Sequence, residues 1–357
     1  MTLPVGVSFY TFMAISYAFD TYRGELVPAS FARFAVFQAF FPHLVAGPIV
    51  RARNLLGQFN QRRTFNPAVA PDALRQVLWG YFIKVVIADN LAPVVSQAYD
   101  HVGSASGWQL LYATVCFAIQ IYCDFAGYTH IAIGIAKLLG IDLMRNFAYP
   151  YFSRSIPEFW GRWHISLTTW FRDYVYVPLG GKRVTYRRWI LNVLLVFLAS
   201  GFWHGANWTF LAWGLLHGFL YLGYSIAWPE SQRLATETPG GDSIVPSVRS
   251  LIQIALTFSL TCAGWVFFRA ASMADAVIVL KKIAIDITTT PPALMYKQAA
   301  VWMVLLLAIE WVQREYANPL HLAQLPRPLR WSVYYALAGT IFMFAPLNYT
   351  PFIYFQF

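Results

Sequence analysis

Apolar residues in this chain run in long blocks, without the three-or-four spacing that marks a helix with one wet face. Stretches near 4–22, 31–50, 75–97, 107–122, 124–141, 188–203, 206–228, 249–268, 298–316 and 330–347 are largely free of charge. A helix needs about 20 such residues to cross the hydrocarbon core of a bilayer. Each block is therefore a candidate span, and because several are short or interrupted the pattern predicts about seven to nine crossings. No internal repeat and no low-complexity tract stands out.

Two stretches break the pattern. "WPESQRLATETPGGDSIVPS" at 228–247 is polar and rich in turn-forming residues, which predicts an exposed connection. "AYPYFSRSIPEFWGRWHISLTTWFRDYVYVPLG" at 148–180 mixes Arg154, Glu158, Arg162, His164, Arg172 and Asp173 with many aromatics and with the breakers Pro150 and Pro157. It is too polar to cross lipid and too aromatic to be a free loop, so it reads as in-plane helices or a re-entrant element. Irregular backbone at membrane depth requires protein or a water-filled cavity around it, so a cavity is implied.

Composition sharpens this picture. The 357 residues are 58% hydrophobic and only 12% charged, too little charge to cover a soluble surface of that size. This is the composition of an integral membrane protein, here a single membrane-embedded unit over 1–357. The formal net charge of +10 could suggest nucleic acid. The basic residues instead cluster between apolar runs, which favours anionic lipid head groups. Arg51, Arg53, Arg62 and Arg63 form one cluster and Lys182, Arg183, Arg187 and Arg188 another. The positive-inside rule places both in the cytoplasm. An even number of crossings then separates them, as it does if 75–97 and 107–141 each cross once and 148–180 does not cross. Cys116, Cys123 and Cys262 show neither metal spacing nor a disulfide framework. The start, "MTLPVGVSFYTF", lacks a signal peptide and enters an apolar helix at once, like the middle of a protein.

Within the apolar blocks, "LASGFWHGANWTFLAWG" (198–214) places an imidazole, His204, between Trp203 and Gly205. His164 likewise follows Trp163. An indole against an imidazole desolvates it and keeps it neutral, as a general base requires. The same pair could equally be an interfacial Trp-His reaching toward water. Gly205 would permit close approach of a backbone or substrate. His217 reads as a hydrogen-bonded core residue, while His101 and His321 fall in loops. His130 lies past Asp124 on the same helix, where both could face one cavity. His43 sits by Pro42 and the Gly47-Pro48 pair, which mark a broken helix. There is no HExxH motif, no GxSxG elbow and no phosphate-binding glycine loop, and no metal site is expected. Lys84, Asp89 and Asp124 within apolar blocks would also suit a proton or ion pathway. A transporter or a non-catalytic membrane scaffold is thus the rival from another class.

Seven motifs together resemble the membrane-bound O-acyltransferases, in the bacterial branch typified by the alginate O-acetyltransferase membrane subunit. They are "LPVGVSFYTF" (3–12), "FFPHLVAGPIVR" (40–51), "GYFIKVVIADNLA" (80–92), "YCDFAGYTHIAIGIAKLLGI" (122–141), "FWGRWHISLTTWFRDYVYVPLGG" (159–181), "GFWHGANW" (201–208) and the terminal "PFIYFQF" (351–357). The resemblance implies an all-α polytopic fold, a ring of membrane helices around a tunnel that ends at the catalytic histidine. It puts His204 in the position of that histidine and His164 in that of the branch's second one. It implies transfer of an acetyl group from a cytoplasmic thioester, acetyl-CoA, to hydroxyls of an extracytoplasmic polysaccharide, at the bacterial inner membrane, with periplasmic partner proteins and no bound cofactor. D-alanyl transfer to a cell-wall polymer shares the Trp-His-Gly core.

On this reading Trp163, Trp203, Arg162, Asp124 and His130 are the substrate-binding candidates. Arg162, an indole or the second histidine could steady the oxyanion. Asp124 could orient an imidazole or be a packed acid with a neighbouring partner, and Arg172 and Asp173 read as a local pair. Two departures from the branch stand out. Family members usually have further helices ahead of the "LPVGVSFYTF" element, so the chain looks N-terminally truncated, and the branch typically has an acid where this chain has His130.

Overall fold

The computed structural model describes residues 6–44, 47–229, 236–241, 243–286, 294–346 and 352. Helices are the only regular elements among them. Four are long and apolar enough to cross a membrane: Ala70–Tyr99, Gly107–Leu138, Trp208–Ala227 and Val248–Arg269. Tyr186–His204, Leu294–Gln313 and Arg327–Phe344 are of similar length. The protein is an all-α polytopic membrane protein.

Gly107–Leu138 is the central helix, 32 residues long. It begins at a capping box, in which the Gln109 backbone N–H donates to Ser106 Oγ (3.3 Å) and the Ser106 N–H donates to Gln109 Oε1 (2.8 Å). The two apolar blocks 107–122 and 124–141 are thus one continuous helix. Asp124 does not interrupt it, because Lys84 Nζ lies 2.7 Å from its Oδ1. Lys84 also meets Asp89 at 2.5 Å and projects from a π-helical stretch, Phe82–Ala88, within Ala70–Tyr99.

Those two helices touch backbone to backbone. A Cβ at Gly80 would lie 2.6 Å from the Gly127 carbonyl oxygen, and one at Gly134 would lie 2.6 Å from that of Ala73. Small residues at such a crossing let main chains approach where lipid supplies no hydrophobic drive.

The block at 31–50 is not one helix. It is divided into Phe31–Ala39 and Phe41–Leu44, with Phe40 in an extended conformation ahead of Pro42. Both pieces are far too short to cross. The basic cluster that follows is anchored at Arg51, whose guanidinium pairs with Asp173 at 2.8 Å.

Residues 148–180 form short helices, Pro150–Phe152, Ile156–Arg162, Ile165–Phe171 and a π-helical turn at Arg172–Tyr176. The 228–247 stretch lies partly outside the described residues. Arg154 Nη2 reaches across to Glu237 in it at 2.7 Å.

Candidate active site

The short helices exist because the sequence starts and stops them quickly. Ser155 caps Ile156–Arg162 by accepting from the Glu158 N–H (3.2 Å), and Pro157 stands in the first turn. The helix ends at Trp163, and the next residue, His164, adopts a left-handed backbone conformation (φ 43°, ψ 52°) before Ile165–Phe171 begins. A non-glycine residue there is held by its surroundings. The holding bonds come from a segment lying alongside. The Ile165 N–H donates to the Asn146 carbonyl (2.9 Å) and the Ala148 N–H to the Arg162 carbonyl (2.9 Å).

The His164 ring is buried among Phe125 (edge-on, 4.7 Å), Phe147 (6.3 Å), Phe9 (6.5 Å) and Trp203 (6.5 Å). Its Nδ1 lies 3.1 Å from Asn146 Oδ1, while its Nε2 has no hydrogen-bond partner among the described residues. Burial, and secondarily the charge that His204 can carry, push its pKa well below the ordinary 6.5, so the ring is neutral.

His204 ends the helix Tyr186–His204, and a short link to Asn207, which caps Trp208–Ala227, reverses the chain. Its ring is half-buried and faces Trp203 (4.6 Å), Trp213 (5.0 Å) and Phe268 (5.0 Å). The space beside Gly205 is taken by Phe210, whose ring carbon would stand 2.4 Å from an added Cβ. That glycine admits a neighbouring side chain of the protein itself. The two helices meet at Gly201 and Gly214, where added Cβ atoms would lie 2.4 Å from the carbonyl oxygens of Phe210 and Phe197.

The structure therefore brings His164, Trp203 and His204 together. A cavity of about 220 Å³ runs between Ile165–Phe171 and Tyr186–His204, lined by Trp160, Leu167, Thr168, Phe197 and Ser200. Ser200 is one turn from His204, and the half-exposed Arg172 also borders the cavity. The lining is mostly apolar, with Thr168 and Ser200 among its few polar groups.

The other candidates are engaged in contacts of their own. Trp163 is buried against Trp265 (5.0 Å), Phe147 (5.1 Å) and Phe159 (5.5 Å). Arg162 Nη2 binds Glu158 at 3.0 Å and the Glu237 carbonyl, within a network that includes Arg154. Burial raises the Glu158 pKa against the opposing pull of Arg162. Asp124 takes the packed-acid alternative through Lys84. His130 Nδ1 lies 3.2 Å from Gln76 Nε2, in a chain that continues through Lys137 to Asp72. Arg172 and Asp173 do pair locally (2.8 Å), but Asp173 also binds Arg51 and Arg53.

His217 departs from its expectation. Neither ring nitrogen has a hydrogen-bond partner among the described residues. The ring is instead caged by Trp160 (5.2 Å), Trp213 (5.3 Å) and Phe159 (stacked, 6.3 Å), with Gly264 closing over Nε2. Among the described residues, no group of three or more His, Cys, Asp or Glu side chains could hold a metal ion. Sequence reasoning missed Asn146 and Ser166 as neighbours of His164. A short amide between Arg145 and the aromatic Phe147 in the run "MRNFAYP" was the available signal for Asn146.

The chain is 42% identical to the probable alginate O-acetylase AlgI of Azotobacter vinelandii over 273 residues, 76% of this chain and 52% of that protein. It is 36% identical to the peptidoglycan O-acetyltransferase of Helicobacter pylori, over 79% of this chain and 56% of that one. It is 28% identical to the teichoic acid D-alanyltransferase of Bacillus subtilis, over 74% of this chain and 68% of that one. The chain spans about half the length of the alginate O-acetylases it matches. Residues 7–265 match the membrane-bound O-acyltransferase family, a stretch that contains both histidines and the residues lining the cavity, and the chain belongs to that family.

Proposed function

We propose that this protein transfers an acetyl group from acetyl-CoA, on the cytoplasmic side of the bacterial inner membrane, toward hydroxyls of an extracytoplasmic polysaccharide such as alginate. The observation that carries this reading is the pair of imidazoles near Trp203, each one helical turn from a residue lining an apolar cavity, Thr168 for His164 and Ser200 for His204. A thioester arm is itself largely apolar with a few amides, which suits that lining, and Arg172 beside the cavity suits a phosphate-bearing donor. Relatives named O-acetylase or O-acetyltransferase are more similar to the chain than the D-alanyltransferases, which favours acetyl as the group moved. Both basic clusters face the cytoplasm in the arrangement that two crossings between them allow.

In the proposed reaction, His204 accepts the proton of the acceptor hydroxyl as its oxygen attacks the thioester carbonyl. The new C–O bond forms, the C–S bond breaks, and the proton passes from the imidazole to the departing sulfur. His164 handles the acceptor or shares that proton. Periplasmic partner proteins would carry the acetyl group to the polymer where the polymer is not itself the first acceptor.

Membranes containing the protein, supplied with acetyl-CoA labelled in the acetyl group, test this. Label should move to polysaccharide or protein, and His204→Ala should lower the rate by about 10²–10⁴-fold with the protein still folded in the membrane. Transfer that survives the substitution would remove His204 as the base. Solute flux without acyl transfer would instead favour a transporter.

A further inference from the structure

We infer that Asn146 is a positioning residue, fixing the tautomer of His164 so that the proton sits on Nδ1 and Nε2 is the basic nitrogen. The inference deepens the acyl-transfer reading and rests on it for its functional meaning. Its structural content stands on hydrogen bonds alone.

The orientation of the Asn146 amide is set by a group that can only donate. The Ser166 backbone N–H points at Asn146 Oδ1 from 3.1 Å, and Ser166 Oγ donates to the same oxygen at 2.9 Å. Oxygen, not nitrogen, therefore faces this cluster. His164 Nδ1 lies 3.1 Å from that oxygen. A neutral imidazole carries one N–H and one lone pair. With the lone pair on Nδ1, two acceptors would oppose each other and an N–H would be buried on Nε2 with no acceptor, which is unfavourable. With the proton on Nδ1, the bond to Asn146 forms and Nε2 offers its lone pair. Ser166 Oγ is 3.5 Å from Nδ1 and already committed to Asn146, so it does not compete.

Asn146 holds the main chain as well. Its carbonyl accepts from Ile165, and its side chain accepts from Ser166, on the C-terminal side of the left-handed residue. One residue thus fixes both the aim of the imidazole and its proton. Its own Nδ2 has no hydrogen-bond partner among the described residues. Only its oxygen is used, so an aspartate can replace it in this task, and a leucine of similar shape cannot.

The test is the ¹⁵N spectrum of histidine-labelled protein in lipid bilayers, with the His164 signals identified by their loss in His164→Gln. The wild type and Asn146→Asp should carry the proton on Nδ1. Asn146→Leu should shift it to Nε2 or give a mixture, with acetyl transfer falling by at least about 10²-fold as when a histidine is left in the wrong tautomer, and Asn146→Asp restoring transfer. A wild-type proton on Nε2, or an unchanged tautomer in Asn146→Leu, overturns the inference. The wild-type spectrum decides the tautomer even where the leucine variant fails to fold. Absence of acetyl transfer by the wild type would defeat the acyl-transfer reading, while the spectrum would still decide the tautomer.

Discussion

The indole of Trp203 neighbours two imidazoles, 4.6 Å from the ring of His204 and 6.5 Å from that of His164. It is held edge-on by Phe12 (5.2 Å) and Phe9 (6.1 Å) from the helix Val7–Tyr22. Replacing Trp203 with alanine opens this space to water and lets both rings drift. Acetyl transfer should drop by about 10²-fold, the scale expected for misplacing reacting groups by an ångström. Trp203→Phe should retain much more of the rate. Equal loss in both variants would show that the indole N–H matters more than the aromatic volume.

The helix crossing beside His204 makes a sharper comparison. Gly214 has no room for a methyl group, whereas nothing lies within 4 Å of a Cβ built on Gly223 in the same helix. Gly214→Ala should lower stability by about 1–3 kcal/mol through overpacking and shift His204 against Trp213. Gly223→Ala should be neutral or stabilising by up to about 1 kcal/mol, since alanine is the better helix former. Thermal unfolding of both variants in the same detergent would measure the contrast. A Gly214 variant as stable as wild type would mean the helices are not in contact there.

Lys84 serves two carboxylates, so its loss and the loss of one acid should differ. Asp124→Asn leaves Lys84 paired with Asp89 at 2.5 Å. Lys84→Met removes the ammonium that Asp89 and Asp124 share. The methionine variant should be destabilised by about 3–5 kcal/mol, the asparagine variant by clearly less. The order of their melting temperatures decides the matter, and a reversed order would show that Asp124 is the anchor of the cluster.

Acid should destabilise the protein through His164. Its folded-state pKa lies well below 6.5, so as pH falls below about 6.5 the unfolded chain takes up a proton that the folded chain refuses. Stability from this residue is fully present above that pH. It is lost on acidification at up to about 1.4 kcal/mol per pH unit. Melting curves between pH 7.5 and 5 should therefore fall less steeply for His164→Gln than for wild type. Parallel curves would mean that the ring is charged or hydrated in the folded state.

Much of this architecture was legible because lipid imposes long apolar runs, and the Trp-His pairs stood out against them. The reading erred where a distant residue decides a local question. Whether Asp124 orients an imidazole or packs against a partner stays open in the sequence because its counter-ion, Lys84, lies forty residues earlier. His217 was expected to find a hydrogen bond, yet its neighbours in space, Trp160, Trp213 and Phe159, form a wall of rings. Asn146 drew no notice at all. Its importance arises only when its segment folds back beside His164, and no local periodicity encodes that return.

The glycine contacts between Ala70–Tyr99 and Gly107–Leu138 carry a mechanical consequence. Main chains in direct touch cannot slide or part without losing their packing, so these two helices act as one plank. In the proposed reaction a thioester and an alcohol have to reach the histidines. The helices on either side of His164 are only seven residues each and are tied to their neighbours by individual hydrogen bonds. Contact along that first pair is thus continuous, whereas the segment bearing His164 is fastened at separate points.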